Sequence, residues 1–255
     1  VKNPSGDWTP YLVKFEPQQF VFESVVATQA CVSFSACTLM EMQIKQQTGQ
    51  EVNFSDRFLA KMSGTTSNGN WLYIVADTIR HIGVVLEEEW PVPPAPFTFE
   101  DYYAPIPQFV IDRAKKQFLD KYHVADEDIL VTKEDIAKHL KHAPIQCVIP
   151  GHAVAGIILK IEDDEVTYFD TYLNFGSPIR TTKVADIQAI KKIVLTVKNM
   201  SNAVFVKKVG SQEAGFYLPA TTIESLKDKA LNLGLNILDA NGNVDFSKAK
   251  EVSGL

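Results

Sequence analysis

The chain has 255 residues, of which 45% are hydrophobic and 22% charged, so it is long enough to bury a core and has an ordinary globular composition. Its net charge of −6 argues against nucleic acid as the main partner, because binding phosphates requires a concentrated basic surface. No apolar stretch is long enough to cross a bilayer, so we expect no membrane partner.

The number of cysteines indicates the redox state of the compartment in which the chain resides. The chain has three cysteines, Cys31, Cys37 and Cys147, and such an odd, low number is not a disulfide framework. We therefore expect a reducing compartment such as the cytoplasm, or a virion. No Cys/His spacing typical of zinc ligands occurs, so neither a metal nor another cofactor is expected.

The first half of the chain is predicted to be helical. Residues 1–27 are expected to form an irregular arm. Apolar residues then recur at helical spacing over residues 31–47, with Thr28 in position to cap this helix and Gly49 to end it. A short second helix is predicted after the cap residue Ser55.

A loop and a proline-rich segment flank the third helix. Residues 63–70 have the Ser, Gly, Thr and Asn content of a loop. The apolar pattern of the third helix ends at Gly83. Closely spaced prolines over residues 91–107 then predict an extended crossing between two lobes.

The second half of the chain changes from helical to strand-like patterns. Helices are predicted at about 107–122 and 132–142. After them, runs rich in β-branched and aromatic residues predict strands between residues 144 and 197. Helices first and strands afterwards are typical of an α+β protein whose two halves pack together.

The five histidines differ in their expected surroundings. His123 is expected in a loop, and His139 and His142 on a polar helix face in solvent. His81 ends the third helix. His152, by contrast, opens an apolar strand directly after a Pro-Gly turn, where a side chain projects readily into a cleft.

Cys31 is a candidate nucleophile because it begins the first helix. The unpaired N–H groups and the macrodipole of a helix N-terminus favour a thiolate, the form that attacks carbonyls. A nearby histidine can then share the proton and later protonate the leaving group. The alternative is that Cys31 is a small apolar residue filling the core.

The sequence around Cys31 resembles the active-site helix of the papain-like cysteine peptidases. That pattern has a small residue before the cysteine, aromatic and small residues after it, an acidic residue and Lys in the same helix, a Thr-Gly stop, and a second helix that begins with Ser and an acid. The matching residues are Ala30, Cys31, Phe34, Ser35, Ala36, Glu41, Lys45, Thr48, Gly49, Ser55, Asp56 and Leu59.

Two later segments agree with this resemblance. Residues 67–91 resemble the family's Gly-rich substrate loop, the helix that follows it and its Tyr-Pro end. Residues 152–172 resemble its His-Ala-Val strand and the return strand that carries the orienting amide. The resemblance is absent after about residue 210.

The resemblance implies a papain-like two-lobe α+β fold. The peptidase domain would span residues 1–210, with a helical lobe at about 28–92 and an antiparallel β lobe at about 140–210. Residues 211–255 would form a small C-terminal extension that docks to a structural partner, with a helix predicted over residues 221–234. A similarity to papain-like domains encoded by bacteriophages and bacteria favours a phage or virion protein.

The resemblance also implies a site for peptide hydrolysis. Cys31 would be the nucleophile, and His152 the general acid and base. Asp170 falls where the family usually has Asn, and it would orient the imidazole. The alternative for Asp170 is a turn residue at a strand end. Tyr172 takes the place of the Trp that shields this pair from water.

Further residues would form the substrate cleft. They are Asn68, Gly69, Asn70, Trp71, Leu72 and Ala153. The first four would line the non-prime side, where an extended peptide pairs with backbone. The last two would help form the apolar pocket for the second residue before the scissile bond.

The oxyanion hole is the main departure from the family's pattern. The family's Gln position is occupied here by Val25. Gln18 or Gln19 would reach the site if the intervening loop bulges, with Gln19 favoured, and Gln29 is the alternative. Without any glutamine the backbone N–H of Cys31 would act alone, at a loss of roughly 10²–10³ in rate.

Three functions are compatible with these residues. The first is a cysteine endopeptidase that hydrolyses peptide or protein substrates through an acyl-enzyme. The second is a catalytically weak or inactive papain-like domain that binds peptides or serves as a virion component. The third is an acyltransferase such as a transglutaminase, which shares Cys-His-Asp chemistry but not the papain-like helix.

Overall fold

The chain divides into two compact units, Val1–Val197 and Lys198–Leu255. The computed structural model describes residues 3–13, 26–149, 154–171, 177–198, 202–206, 216–220 and 249–252. The division predicted at residue 210 stays a prediction, because most of the second unit lies outside these ranges. In the described part of the chain, no helix is both long enough and apolar enough to span a bilayer.

Helix α1, Cys31–Thr48, is the central element of the first unit. Apolar residues occur on every side of it, and it is buried almost throughout between the sheet and neighbouring helices. Gly49 ends it with a left-handed φ of 72°, as predicted. The prediction of Thr28 as its cap was wrong: the N-cap is Ala30, and the Thr28 hydroxyl accepts the Ala30 N–H at 3.4 Å.

Two shorter helices pack against α1. Helix α2, Asp56–Met62, has Ser55 as its N-cap, whose Oγ accepts a first-turn N–H as the sequence predicts. Helix α3, Leu72–Ile82, ends at Gly83, where φ is 79° and an added Cβ would lie 2.8 Å from the Cβ of Phe118. A glycine is therefore required both by the backbone angle and by the close approach of the next helical segment.

The segment between the two predicted lobes contains short helical pieces. They are α4 (Phe99–Tyr102), α5 (Gln108–Arg113), a π-helical turn (Ala114–Phe118), α6 (Leu119–Lys121) and α7 (Lys133–Leu140). The single helix predicted at about 107–122 is thus α5, the π-helical turn and α6 in succession. A capping box between Thr98 and Asp101 begins α4.

Six strands form one antiparallel sheet in the order β1-β6-β2-β3-β4-β5. The strands are β1 (Tyr122–Asp128), β2 (Ile145–Ile149), β3 (Val154–Glu162), β4 (Glu165–Phe169), β5 (Ile179–Lys183) and β6 (Ala189–Val197). Helix α1 packs on this sheet, mainly against β6 and β3. Helices followed by an antiparallel sheet confirm the predicted α+β class.

Two glutamines of α1 fasten the helix to β6. Gln43 donates to the Ile193 carbonyl at 2.9 Å and accepts from the Leu195 N–H at 2.9 Å. Gln47 likewise donates to the Leu195 carbonyl at 2.8 Å and accepts from the Val197 N–H at 3.0 Å. Because both ends of each amide bond to the strand backbone, the position of α1 along β6 is fixed.

Two histidines lie elsewhere than predicted. His123 is not in a loop but on the edge strand β1, opposite Thr196. His139 is not in solvent: it is 7% exposed, and its Nδ1 lies 3.0 Å from Nζ of Lys192. Helix α7 packs on β2 and β3, so a face that reads as polar is partly covered by the sheet.

The described part of the second unit is a three-stranded antiparallel sheet in the order β8-β7-β9. Its strands are β7 (Asn202–Val206), β8 (Phe216–Ala220) and β9 (Ala249–Val252). The helix predicted over residues 221–234 lies outside the described residues.

Candidate active site

Cys31, the first residue of α1, lines a cavity of about 490 Å³. Its side chain is half-buried, whereas Cys37 and Cys147 are buried, and all three thiols are free. One wall of the cavity is formed by the start of α1 and the loop before α3, and the other by the ends of β1, β2 and β6. The nucleophile position predicted from the sequence therefore lies at an opening between helices and sheet.

Five of the predicted cleft residues line this cavity. They are Asn68, Gly69, Asn70, Trp71 and Leu72. Trp71 is the N-cap of α3 and is 69% exposed. The Asn70 amide turns inward, with Nδ2 donating to the Ser63 carbonyl at 3.0 Å and to Thr65 Oγ1 at 3.1 Å. Asn70 therefore shapes the loop, and Trp71 is the side chain presented outwards.

The opposite wall of the cavity was missed by the sequence reasoning. It includes Asp128, Val148, Gln188 and Lys191. The Lys191 Nζ lies 2.6 Å from Asp126 Oδ2 and 2.8 Å from Asp128 Oδ1, so its charge is paired. Antiparallel pairing of β1 with β6 brings the two aspartates and Lys191 together, and a single sequence carries no local signal for that pairing.

Asp170 directly follows β4 and is 1% exposed. Its backbone N–H donates to the Pro178 carbonyl at 2.7 Å. Nη1 of Arg180 lies 3.6 Å from Asp170 Oδ2. Because Arg180 belongs to the neighbouring strand β5, strand pairing holds its guanidinium beside this buried carboxylate. Arg180 was also missed by the sequence reasoning.

Several predicted site residues lie outside the described residues. They are Gln19, His152, Ala153 and Tyr172, and their roles stay predictions. Gln29, the alternative oxyanion donor, is described. It precedes the N-cap of α1 with a φ of 58°, is exposed, and lines the same cavity as Cys31.

Burial separates the other two thiols chemically from Cys31. Burial raises the pKa of Cys147 to about 12. Burial, followed by the nearby carboxyls of Asp56 and Glu41, raises the pKa of Cys37 well above its ordinary value. Both side chains are therefore held as thiols, which are poor nucleophiles.

Three acidic side chains, Glu41 on α1 and its neighbours Asp56 and Glu87, lie close enough together to repel one another. Burial raises the pKa of Glu41 to about 8 and that of Glu87 to about 7. Burial, and then repulsion by these two neighbours, raises the pKa of Asp56. Glu41 Oε1 accepts the Phe54 N–H at 2.7 Å. The group therefore retains protons that an unfolded chain releases below neutral pH.

No family model and no curated protein matches the chain. A cysteine protease of Carica candamarcensis matches in structure with a TM-score of 0.52 and 12% identity, over 75% of this chain and 97% of that chain. A digestive procathepsin L of Tenebrio molitor larval midgut matches with a TM-score of 0.53 and 13% identity, over 74% and 68%. A stem bromelain precursor matches with a TM-score of 0.51 and 12% identity, over 76% and 70%.

Similarity at this low identity establishes the fold and nothing finer. It gives no support to the predicted bacteriophage or virion origin. The observed elements agree with these structures: a central helix begins at Cys31, and an antiparallel sheet of six strands packs against it. The chain therefore has the papain-like α+β fold.

Proposed function

We propose that the chain is a papain-like cysteine endopeptidase. The observation that carries the proposal is the place of Cys31, half-exposed at the N-terminus of a buried helix and at the wall of a cavity. A helix N-terminus favours the thiolate. The cavity, about 490 Å³ with Trp71 and Leu72 at its border, has room for a large side chain of an extended peptide.

The proposed reaction proceeds through an acyl-enzyme. The Cys31 thiolate attacks the scissile carbonyl carbon, forming a C–S bond and a tetrahedral oxyanion. When the oxyanion collapses, the C–N bond breaks and the His152 imidazolium gives its proton to the leaving amine. His152 then takes a proton from water as the water oxygen attacks the thioester, which releases the acid and restores the thiolate–imidazolium pair.

The remaining roles are assigned to Asp170 and to one glutamine. Asp170 would hold the His152 ring, and its burial beside Arg180 supports a fixed carboxylate there. The Cys31 N–H would bind the oxyanion together with Gln19 or Gln29. Gln29 is supported by its place in the wall of the cavity.

A peptide-binding protein without catalysis is the second candidate, and Arg180 is the observation that favours it. A guanidinium 3.6 Å from Asp170 competes with an imidazole for the same carboxylate. If Asp170 serves Arg180 alone, His152 lacks its orienting partner, while the cavity still accepts an extended peptide. In that case residues 211–255 would dock the chain to a structural partner.

Cleavage of an unfolded protein, such as reduced and alkylated casein, separates the two candidates. We expect the native chain to release peptides and Cys31→Ser to be slower by at least about 10³-fold. Cys37→Ala is the control and should cleave at the native rate, because Cys37 is buried away as a thiol. Binding of casein without cleavage by the native chain would overturn the enzymatic proposal and support the second candidate.

A further inference from the structure

Gln146 is a fully buried glutamine in an otherwise apolar strand, and it contacts the first turn of α1. It lies on β2, whose neighbours β3 and β6 hold its backbone on both sides. Its Nε2 lies 2.8 Å from the Val32 carbonyl oxygen and 2.7 Å from Ser35 Oγ. The Gln146 side chain therefore links the sheet to the N-terminal end of α1, where Cys31 lies.

Ser35 extends this contact to the backbone of Cys31. Its Oγ lies 2.9 Å from the Cys31 carbonyl oxygen and 3.2 Å from that of Val32. Because Ser35 Oγ accepts one hydrogen of the Gln146 amide, its own hydrogen is available to the nearer carbonyl, that of Cys31. The other amide hydrogen of Gln146 goes to the Val32 carbonyl.

These hydrogen bonds act on peptide groups in the first turn of α1, which begins at Cys31. The Cys31 carbonyl shares a peptide unit with the Val32 N–H. The Val32 carbonyl shares one with the Ser33 N–H, which donates to the Ala30 carbonyl at 2.8 Å, so the Val32 N–H is the donor of this turn on which the bond from Ser35 acts. The N–H groups of a first turn point toward the N-terminal end of the helix. A hydrogen bond to the carbonyl polarises the whole peptide unit, so its N–H becomes a stronger donor. Positive charge beside the Cys31 sulfur increases as a result.

The surroundings of Gln146 argue against a purely structural role. Its Oε1 is buried and has no hydrogen-bond partner among the described residues. An unpaired buried acceptor destabilises a fold, and this offsets much of what the two donated bonds contribute. An apolar side chain of the same shape is therefore expected to pack here with little loss of stability.

We infer that Gln146 is a positioning residue for Cys31, donating directly and through Ser35 to the first-turn carbonyls of α1 and so stabilising the thiolate. The inference rests on the proposed function of Cys31 as the nucleophile. Gln146 touches neither substrate nor reacting atoms, and acts only through the helix.

Alkylation of Cys31 by iodoacetamide across a range of pH, read by peptide mass spectrometry, tests the inference. In Gln146→Met we expect the midpoint of the rate profile to rise by about half a pH unit, which slows the reaction roughly threefold below the midpoint. Ser35→Ala should shift the midpoint in the same direction by less. The double variant should shift it by less than the sum, because the two residues act in one chain of hydrogen bonds.

Gln43→Met is the matched control. Gln43 is equally buried and bonds α1 to β6 further along the same helix. Its loss leaves backbone groups of Ile193 and Leu195 without these bonds, so we expect a larger fall in melting temperature than for Gln146→Met and an unchanged Cys31 profile.

Two results would overturn the inference, and one of them would also overturn the proposed function. If native Cys31 has a low midpoint and Gln146→Met has the same midpoint, the inference is overturned and the proposed function is not. A native protein in which Cys31 titrates as an ordinary thiol overturns both the inference and the proposed function.

Discussion

The potential partners of Asp170 include the imidazole that it would orient and the guanidinium of Arg180. The Arg180 Nη1 lies 3.6 Å from the Asp170 carboxylate, longer than a good hydrogen bond. The contact with Arg180 is therefore compatible with the orienting role proposed for Asp170 toward His152. An orienting residue acts through this accepted hydrogen bond, so an amide oxygen in the same place should also work.

Substitution of Asp170 tests this at the level of one residue. Asp170→Asn keeps an acceptor, and we expect kcat/KM for a fluorogenic peptide to stay within about tenfold of the native value. Asp170→Ala removes the acceptor, and kcat should fall by about 10² or more with KM little changed. Equal losses in the two variants, or losses in KM alone, would contradict the orienting role. Melting curves control for the loss of the contact between Asp170 and Arg180.

Residues differ in whether their role has a local signal in the sequence. Cys31 could be placed from the helical pattern around it, because a helix start is specified by its neighbours. Arg180 and Lys191 could not, because strand pairing across the sheet puts them beside their partners. Gln146 does carry a weak signal, since it is the one amide within the apolar run PIQCVI.

Helix α1 contains a buried acidic residue, Glu41, that makes stability depend on pH. In the folded chain its pKa is about 8, against 4.5 when it is exposed. Between these values the native state binds more protons than the unfolded state, so stability falls as pH rises. The slope is up to about 1.4 kcal/mol per pH unit for this one group.

Glu41→Gln tests that dependence. The amide keeps an oxygen for the Phe54 N–H but cannot ionise. We expect the free energy of unfolding, measured by urea denaturation from about pH 5 to pH 8, to change less steeply with pH than in the native chain. The exposed Glu88→Gln is the matched control and should keep the native slope. An unchanged slope in Glu41→Gln would contradict the assignment.

The glycines that end α1 and α3 have different constraints. Gly83 combines a φ of 79° with a close approach to Phe118, whereas Gly49 has a φ of 72° and open space around it. We expect Gly49→Ala to cost about 1 kcal/mol of stability from backbone strain alone, and Gly83→Ala about 2–4 kcal/mol. Equal losses, measured by thermal melting, would show that the Phe118 contact relaxes freely.

Elements could be predicted where neighbouring residues specify them, and could not be predicted where they depend on contacts with distant parts of the chain. Helix ends at Gly49, Ser55 and Gly83 depend on capping within one turn, and the structure confirms them. Strand β1 was missed because its charged residues alternate poorly and its pairing partner β6 lies far along the chain. His139 was placed in solvent because its own helix could not show that the sheet covers it.

At the scale of the whole molecule, residues 3–13 of the N-terminal segment are attached to the core through Trp8. Trp8 is fully buried, its indole N–H donates to the Leu140 carbonyl at 2.6 Å, and its backbone N–H donates to the Leu159 carbonyl at 2.9 Å. It therefore joins the segment to α7 and β3. Trp71, in contrast, is exposed at the cavity.

Substitution of Trp8 should therefore lower stability, whereas substitution of Trp71 should mainly affect peptide binding. Trp8→Ala is expected to destabilise the chain by about 3–5 kcal/mol, because it opens a core cavity and breaks a buried hydrogen bond. Trp71→Ala should change stability by less than about 1 kcal/mol but raise KM for peptides several-fold. Chemical denaturation and peptide kinetics check both. A stable Trp8→Ala would contradict the structural role given to the segment.

The overall class could be predicted because helical and strand-like patterns occupy different halves of the chain. The resemblance around Cys31 added the fold within that class, and the structural matches confirm it. The residues of the cavity wall that the strands form could not be predicted, since β1, β2 and β6 meet there only after the sheet has formed.

The most direct test of the central claim is the alkylation rate of Cys31 by iodoacetamide from about pH 4 to pH 9, in the native chain and in His152→Ala. The account predicts rapid labelling of native Cys31 at low pH, slower labelling without His152, and little labelling of Cys37 and Cys147 in either protein. A Cys31 profile that is the same in both proteins, or that matches an ordinary exposed thiol, would contradict it.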